Sequence, residues 1–116
     1  MLYAVNTHDI PIMGYFNTPR PFRLQNIQRV EVLKRLKNTV FIMRFKDVQL
    51  RIGMHDLSED GSGHFDKNPL VGHYAEGNME PVAVFEMPLG GVTGRFLTLQ
   101  KIGLGVLEIA EVYVYV

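Results

Sequence analysis

Apolar residues in this chain alternate with a period of two, and no stretch of ten residues carries a helical period. Ile27, Val30 and Val32 form an apolar series in Ile27–Lys34, with Val30 and Val32 set against Arg29, Glu31 and Leu33. Thr39–Phe45 is β-branched and aromatic, and in Val48–Ile52 the residues Val48, Leu50 and Ile52 alternate with Gln49 and Arg51. In Pro81–Met87, Val82, Val84 and Glu86 oppose Ala83, Phe85 and Met87. Arg95–Lys101 puts Phe96 and Thr98 on one side and Leu97 and Leu99 on the other. Val106–Val116 is the longest expected strand, with Leu107, Ile109, Glu111, Tyr113 and Tyr115 on one parity and Val106, Ala110, Val112, Val114 and Val116 on the other. The period predicts strands throughout.

Glycine and proline separate these runs: Pro19 and Pro21, Gly53, Gly61 and Gly63, Pro88 with Gly90 and Gly91, then Gly103 and Gly105. Short strands divided by turn signals imply an all-β sandwich. The connection from Met54 to Met79 is long for a compact domain and implies either a functional loop or further short strands within it. No repeat, low-complexity tract or linker divides the chain, and 116 residues suit one domain.

Composition excludes several function classes. Twelve basic and twelve acidic residues cancel, which leaves no electrostatic attraction for nucleic acid or an anionic membrane. No apolar run approaches the ~20 residues of a membrane-spanning helix. The N-terminus lacks a basic region followed by a long apolar run, so no signal peptide is visible. With no cysteine, the chain has no disulfide framework, zinc–thiolate site or thiol nucleophile. No Ser/His/Asp order, phosphate-binding glycine loop or adjacent carboxylate pair stands out. The expectation is therefore a non-enzyme.

The order of motifs along the C-terminal half, namely Gly94-Arg95-Phe96, a glycine-bearing turn and the closing Glu111-Val112-Tyr113-Val114-Tyr115, resembles the end of the galactose-binding-like domains of the discoidin and F-type lectin (fucolectin) group. Residues 43–53 (MRFKDVQLRIG) resemble that family's Arg-hydrophobic-x-Gly-x-x-hydrophobic-Arg-Ile-Gly run, with Asp47 where glycine is usual. The resemblance spans roughly Val5–Val116 and implies an all-β jelly-roll β-sandwich of the galactose-binding-like type. It also implies an extracellular or secreted protein that binds fucosylated glycans or glycoproteins without catalysis.

The family's sugar signature is a histidine, about 26 residues, Arg-x-Asp, four residues and a second arginine. His8 is followed by twenty-six residues and then Arg35, and Arg44 matches the second arginine. His8, Arg35 and Arg44 are thus the positions onto which the sugar-contacting side chains carry over, with Val40, Phe41 or Phe65 as an apolar wall. Guanidinium and imidazole donors suit ring and hydroxyl oxygens. Eight residues separate Arg35 from Arg44, whereas placing Lys37 in the first role restores the spacing at the expense of Arg-x-Asp, which becomes Lys-x-Thr. The carboxylate that would orient a guanidinium is then gone. Where the family has half-cystines this chain has Val71, Met87 and Ala110, which implies folding without oxidation.

Calcium enters twice. Glu111 matches the closing carboxylate of the family's calcium site, but only seven residues precede His8, so either the family's first strand is missing or that site is lost; loss is the expectation. Asp56, Ser58 and Asp60, with Gly61, mimic the first half of an EF-hand loop, although its twelfth position is Lys67.

The leading function is carbohydrate binding, and one alternative stands beside it. The first is a fucose-type lectin using His8, Arg35 (or Lys37) and Arg44, with a homo-oligomer expected to add avidity. The other is a degenerate sandwich that serves as a structural or protein-interaction module in a larger assembly. The first requires the three cationic side chains to converge on an open cleft; an Arg44 tied to a core carboxylate would count against it.

Overall fold

The computed structural model describes residues 3–6, 15–17, 24–34, 42–55, 67–103 and 107–116, with backbone alone for the first two segments. Among the described residues ten strands follow in chain order: β1 (Tyr3–Asn6), β2 (Tyr15–Asn17), β3 (Gln25–Ile27), β4 (Arg29–Lys34), β5 (Val48–Gly53), β6 (Leu70–Tyr74), β7 (Val82–Glu86), β8 (Val92–Gly94), β9 (Phe96–Lys101) and β10 (Ile109–Tyr115). They form two four-stranded antiparallel sheets, ordered β1-β10-β4-β7 and β2-β9-β5-β6, and a small β3-β8 pair. The pairing is nested: with β3 and β8 set aside, β1 pairs with β10, β2 with β9, β4 with β7 and β5 with β6. The chain is all-β and sandwich-like.

Both sheets contribute to one core. Val30 and Val32 of β4, Ala83 and Phe85 of β7, and Val112 and Val114 of β10 meet Val48, Leu50 and Ile52 of β5 and Leu97 and Leu99 of β9. Each buried aliphatic side chain contributes about 1.5–3 kcal/mol relative to exposure, so the alternation decides which face of every strand turns inward. The sheets approach closely at Gly72 of β6, where a Cβ would lie 2.7 Å from Phe85 Cδ1. Tyr113 and Tyr115 share the outer face, where the Tyr115 hydroxyl donates to Glu31 Oε1 at 3.0 Å and the Arg29 guanidinium stacks 4.6 Å from the Tyr115 ring.

Three local expectations are revised. Ile27–Lys34 is two strands, because Gln25–Ile27 turns away to pair with β8. The β4 ladder resumes at Gln28, whose N–H donates to Tyr115 O and whose carbonyl accepts from Met87 N. The strand expected over Thr39–Phe45 is absent from its described part: residues 42–44 form a helical turn that delivers Phe45 into the core. Finally, β10 shifts register between Ile109 and Glu111. The bulge lets Ile109 share the inner face with Val112 and Val114, so the single parity expected for Ile109, Glu111, Tyr113 and Tyr115 breaks there. The long 54–79 connection does carry a strand of its own, β6.

Candidate functional site

β1 ends at Asn6, opposite Glu111, and β4 ends at Lys34, opposite Ile109, so both strands run out beside the start of β10. The turn at 42–47 and the β6–β7 connection lie at this same end, joined through Phe45 and Tyr74, whose rings meet edge-on at 5.3 Å. The described strand ends that lead to His8, Arg35 and Lys37 thus lie at the same end as Arg44, whereas the connection that contains Phe65 starts and finishes elsewhere. His8, Arg35, Lys37 and Phe41, with Val40 and Phe65, lie outside the described residues, as do Asp56, Ser58 and Asp60.

Arg44 is described, and its Nη1 donates to Glu108 Oε1 at 3.0 Å. The guanidinium side chain is 51% exposed and the carboxylate side chain only 11%. The turn carrying it is pinned from β9: Lys101 Nζ donates to Arg44 O at 3.1 Å and to Lys46 O at 2.9 Å, and Ile102 N–H donates to Asp47 O. Burial first, and then the Lys46 charge, lowers the Lys101 pKa, while Asp47 pulls it back. Asp47 occupies the left-handed backbone region at φ 51°, a conformation natural to glycine, at the position where the resembled motif has one. His73 Nε2 stands 3.8 Å from Asp47 Oδ1.

The roles that Lys34, Asn78 and Asn68 take at the two ends of the sandwich were not read from the sequence. Lys34 is wholly buried, its Nζ donating to Asn78 Oδ1 at 2.9 Å and Tyr74 Oη at 3.3 Å, between the rings of Tyr74 and Phe45. Its parity with Val30 and Val32 was the available signal for an inward-pointing lysine. The Asn78 amide in turn donates to Tyr74 Oη at 2.7 Å, which links lysine, phenol and amide into one cluster. At the far end, Asn68 imitates a strand partner: its Oδ1 accepts from His55 N at 2.9 Å and its Nδ2 donates to His55 O at 2.7 Å, closing the twelve-residue connection between them. Arg51 Nη1 donates to the Asn68 carbonyl at 2.8 Å.

Among the described residues no three His, Asp or Glu side chains gather to hold a cation, and Glu111 belongs to no such group. No described helix is long and apolar enough to cross a membrane. Val71 and Met87, at the positions of the resembled half-cystines, pack against the core as apolar side chains. Comparison with protein-family models, curated proteins and solved structures found no match.

Proposed function

We propose that this chain is a non-catalytic jelly-roll sandwich of the galactose-binding-like type in which the sugar-binding arginine serves structure, so that the domain acts as a structural or protein-interaction module of a larger assembly. The nested pairing of first strand with last, second with second-last and so inward supports the jelly-roll assignment, because that is the order a rolled double Greek key requires. The observation that carries the functional reading is the Arg44–Glu108 pair. Arg44 is the one described side chain of the expected sugar set, and it is bonded to a mostly buried carboxylate. Withdrawing the guanidinium to reach a ligand would break a charged hydrogen bond to a mostly buried carboxylate, at a cost that grows with burial.

Carbohydrate binding is the second reading, and a specific observation favours it. The strands leading to His8 and to Arg35 and Lys37 run out at the end where Arg44 sits, with half of its surface open. Glu108 would then supply the orienting carboxylate that the Lys-x-Thr substitution removes. Calorimetric titration of the folded domain with L-fucose and a fucosylated trisaccharide, with and without calcium, separates the two. The structural reading expects no saturable heat at millimolar sugar, together with a loss of about 1 kcal/mol of stability in Arg44→Ala. Saturable binding that disappears in Arg44→Ala would overturn it and establish the lectin.

A further inference from the structure

Lys34 is the last residue of β4 and points inward, in phase with Val30 and Val32, where the alternation calls for an apolar side chain. Its ammonium is wholly buried, and no described carboxylate pairs with it. A charge taken from water without a counter-ion is disfavoured, and among the described residues what offsets the cost is two neutral oxygens and two ring faces. Nζ lies 5.0 Å from the centre of the Tyr74 ring and 5.7 Å from that of Phe45.

Neither oxygen depends on the lysine. Tyr74 Oη also accepts from Asn78 Nδ2 at 2.7 Å, and Asn78 Oδ1 also accepts from Glu80 N at 3.0 Å. An unbranched apolar side chain of similar length would therefore leave neither of these two acceptors without a donor. What would be lost is direction. The three partners come from two connections and a strand end: Phe45 follows the helical turn between β4 and β5, Tyr74 ends β6, and Asn78 lies in the β6–β7 connection. The β6–β7 connection is otherwise tied to the β4–β5 connection by the Asp47 N–H donating to Ala75 O at 3.2 Å and by Gly77 packing on the Met43 carbonyl.

We propose that Lys34 is a positioning residue, a buried ammonium that selects one arrangement of the turns at this end of the sandwich, including the turn that presents Arg44, and contributes little to the stability of the fold. The assignment goes beyond the function proposed above and holds whether the end takes a protein or a sugar. Buried polar groups can specify a conformation without stabilising it, and the doubly satisfied acceptors are what place Lys34 in that class.

Hydrogen–deuterium exchange read by mass spectrometry over residues 42–47 and 74–81, with denaturant unfolding alongside, tests it on the whole chain. In Lys34→Met the unfolding midpoint should hold or rise, while exchange at the amides of Glu80 and Asp47 accelerates by tenfold or more. Unchanged protection at those amides, or a uniform loss of protection across the domain with a lower midpoint, would overturn the assignment. Asn78→Asp covers the case in which Lys34→Met does not fold. It keeps an acceptor for both Lys34 and the Glu80 N–H and gives the ammonium a counter-charge, so protection at Glu80 should equal or exceed that of the native chain. Faster exchange there in Asn78→Asp would likewise refute the proposal.

Discussion

Asn68 offers the sharpest test of how the long β5–β6 connection is held. Its side chain is 5% exposed and makes both hydrogen bonds that a neighbouring strand would offer His55, at 2.9 Å and 2.7 Å. Gly53 lies so close to the amide that any Cβ there would collide with Asn68 Oδ1. Asn68→Ala removes two hydrogen bonds worth about 0.5–1.5 kcal/mol each. The released His55 groups recover water, since His55 is exposed, so the larger penalty of buried unsatisfied groups does not apply. The expected loss is about 2 kcal/mol. At about 2.1 cal/mol/K of unfolding entropy per residue, a chain of this length should lose roughly 8 °C in Tm. Asn68→Asp adds a signature that packing alone cannot mimic. Ionised, it still accepts from His55 N–H but sets a second oxygen against the His55 carbonyl, so at neutral pH it should be at least as damaging as alanine. Protonated, it donates as the amide does. The folded state thus favours the neutral acid and raises its pKa above the unfolded aspartate value of about 3.9. The rescue is complete below that value and is lost as pH rises through the folded value. Urea midpoints of the native and Asn68→Asp chains between pH 4 and pH 7 should therefore converge on acidification. A loss below about 0.5 kcal/mol for Asn68→Ala, or parallel pH profiles for Asn68→Asp, would refute the clamp.

Two further outcomes test the turn that carries Arg44. Because Asp47 holds φ 51°, Asp47→Asn should stay within about 0.5 kcal/mol of native, whereas the β-branched Asp47→Val should lose about 1–2 kcal/mol in denaturant unfolding. Lys101 titrates below its ordinary 10.5 in the folded chain, chiefly through burial, so the folded state binds fewer protons than the unfolded state between that lowered value and 10.5. Native stability should then rise with pH across that window relative to Lys101→Met; a flat difference between their urea midpoints would contradict the assignment.

The sheet faces were legible because burial follows strand parity with little competition. Val30 and Val32, then Val48, Leu50 and Ile52, and Leu97 and Leu99 are buried as their alternation requires, while Thr98, expected on the opposite side of β9, is buried as well. The failures have local causes that alternation cannot encode. Thr39–Phe45 reads as a strand on β-branched and aromatic content, yet its described residues curl so that Phe45 reaches the core while Met43 stays exposed. In β10 the period itself changes: one extra residue at the bulge carries Ile109 and Val112 onto the same face, although their spacing is odd.

The candidate site was legible only as far as side chains act through their own strand. Lys34 is a parity signal, readable in principle from RVEVLK, but a lysine in phase with valines is more simply a strand end turning to solvent than a buried ammonium. What reverses that expectation is supplied from β6 and from the connection after it, as Tyr74 and Asn78, forty and forty-four residues away. The same holds for Arg44, whose partner Glu108 lies sixty-four residues on, in the strand expected over Val106–Val116, with nothing in that strand to mark it as a partner for a cation. Motif spacing proposes which donors could gather, whereas the charge and burial of distant partners decide what those donors are free to do. The Arg44–Glu108 pair therefore carries more weight in the functional reading than the intact spacing between His8 and Arg35.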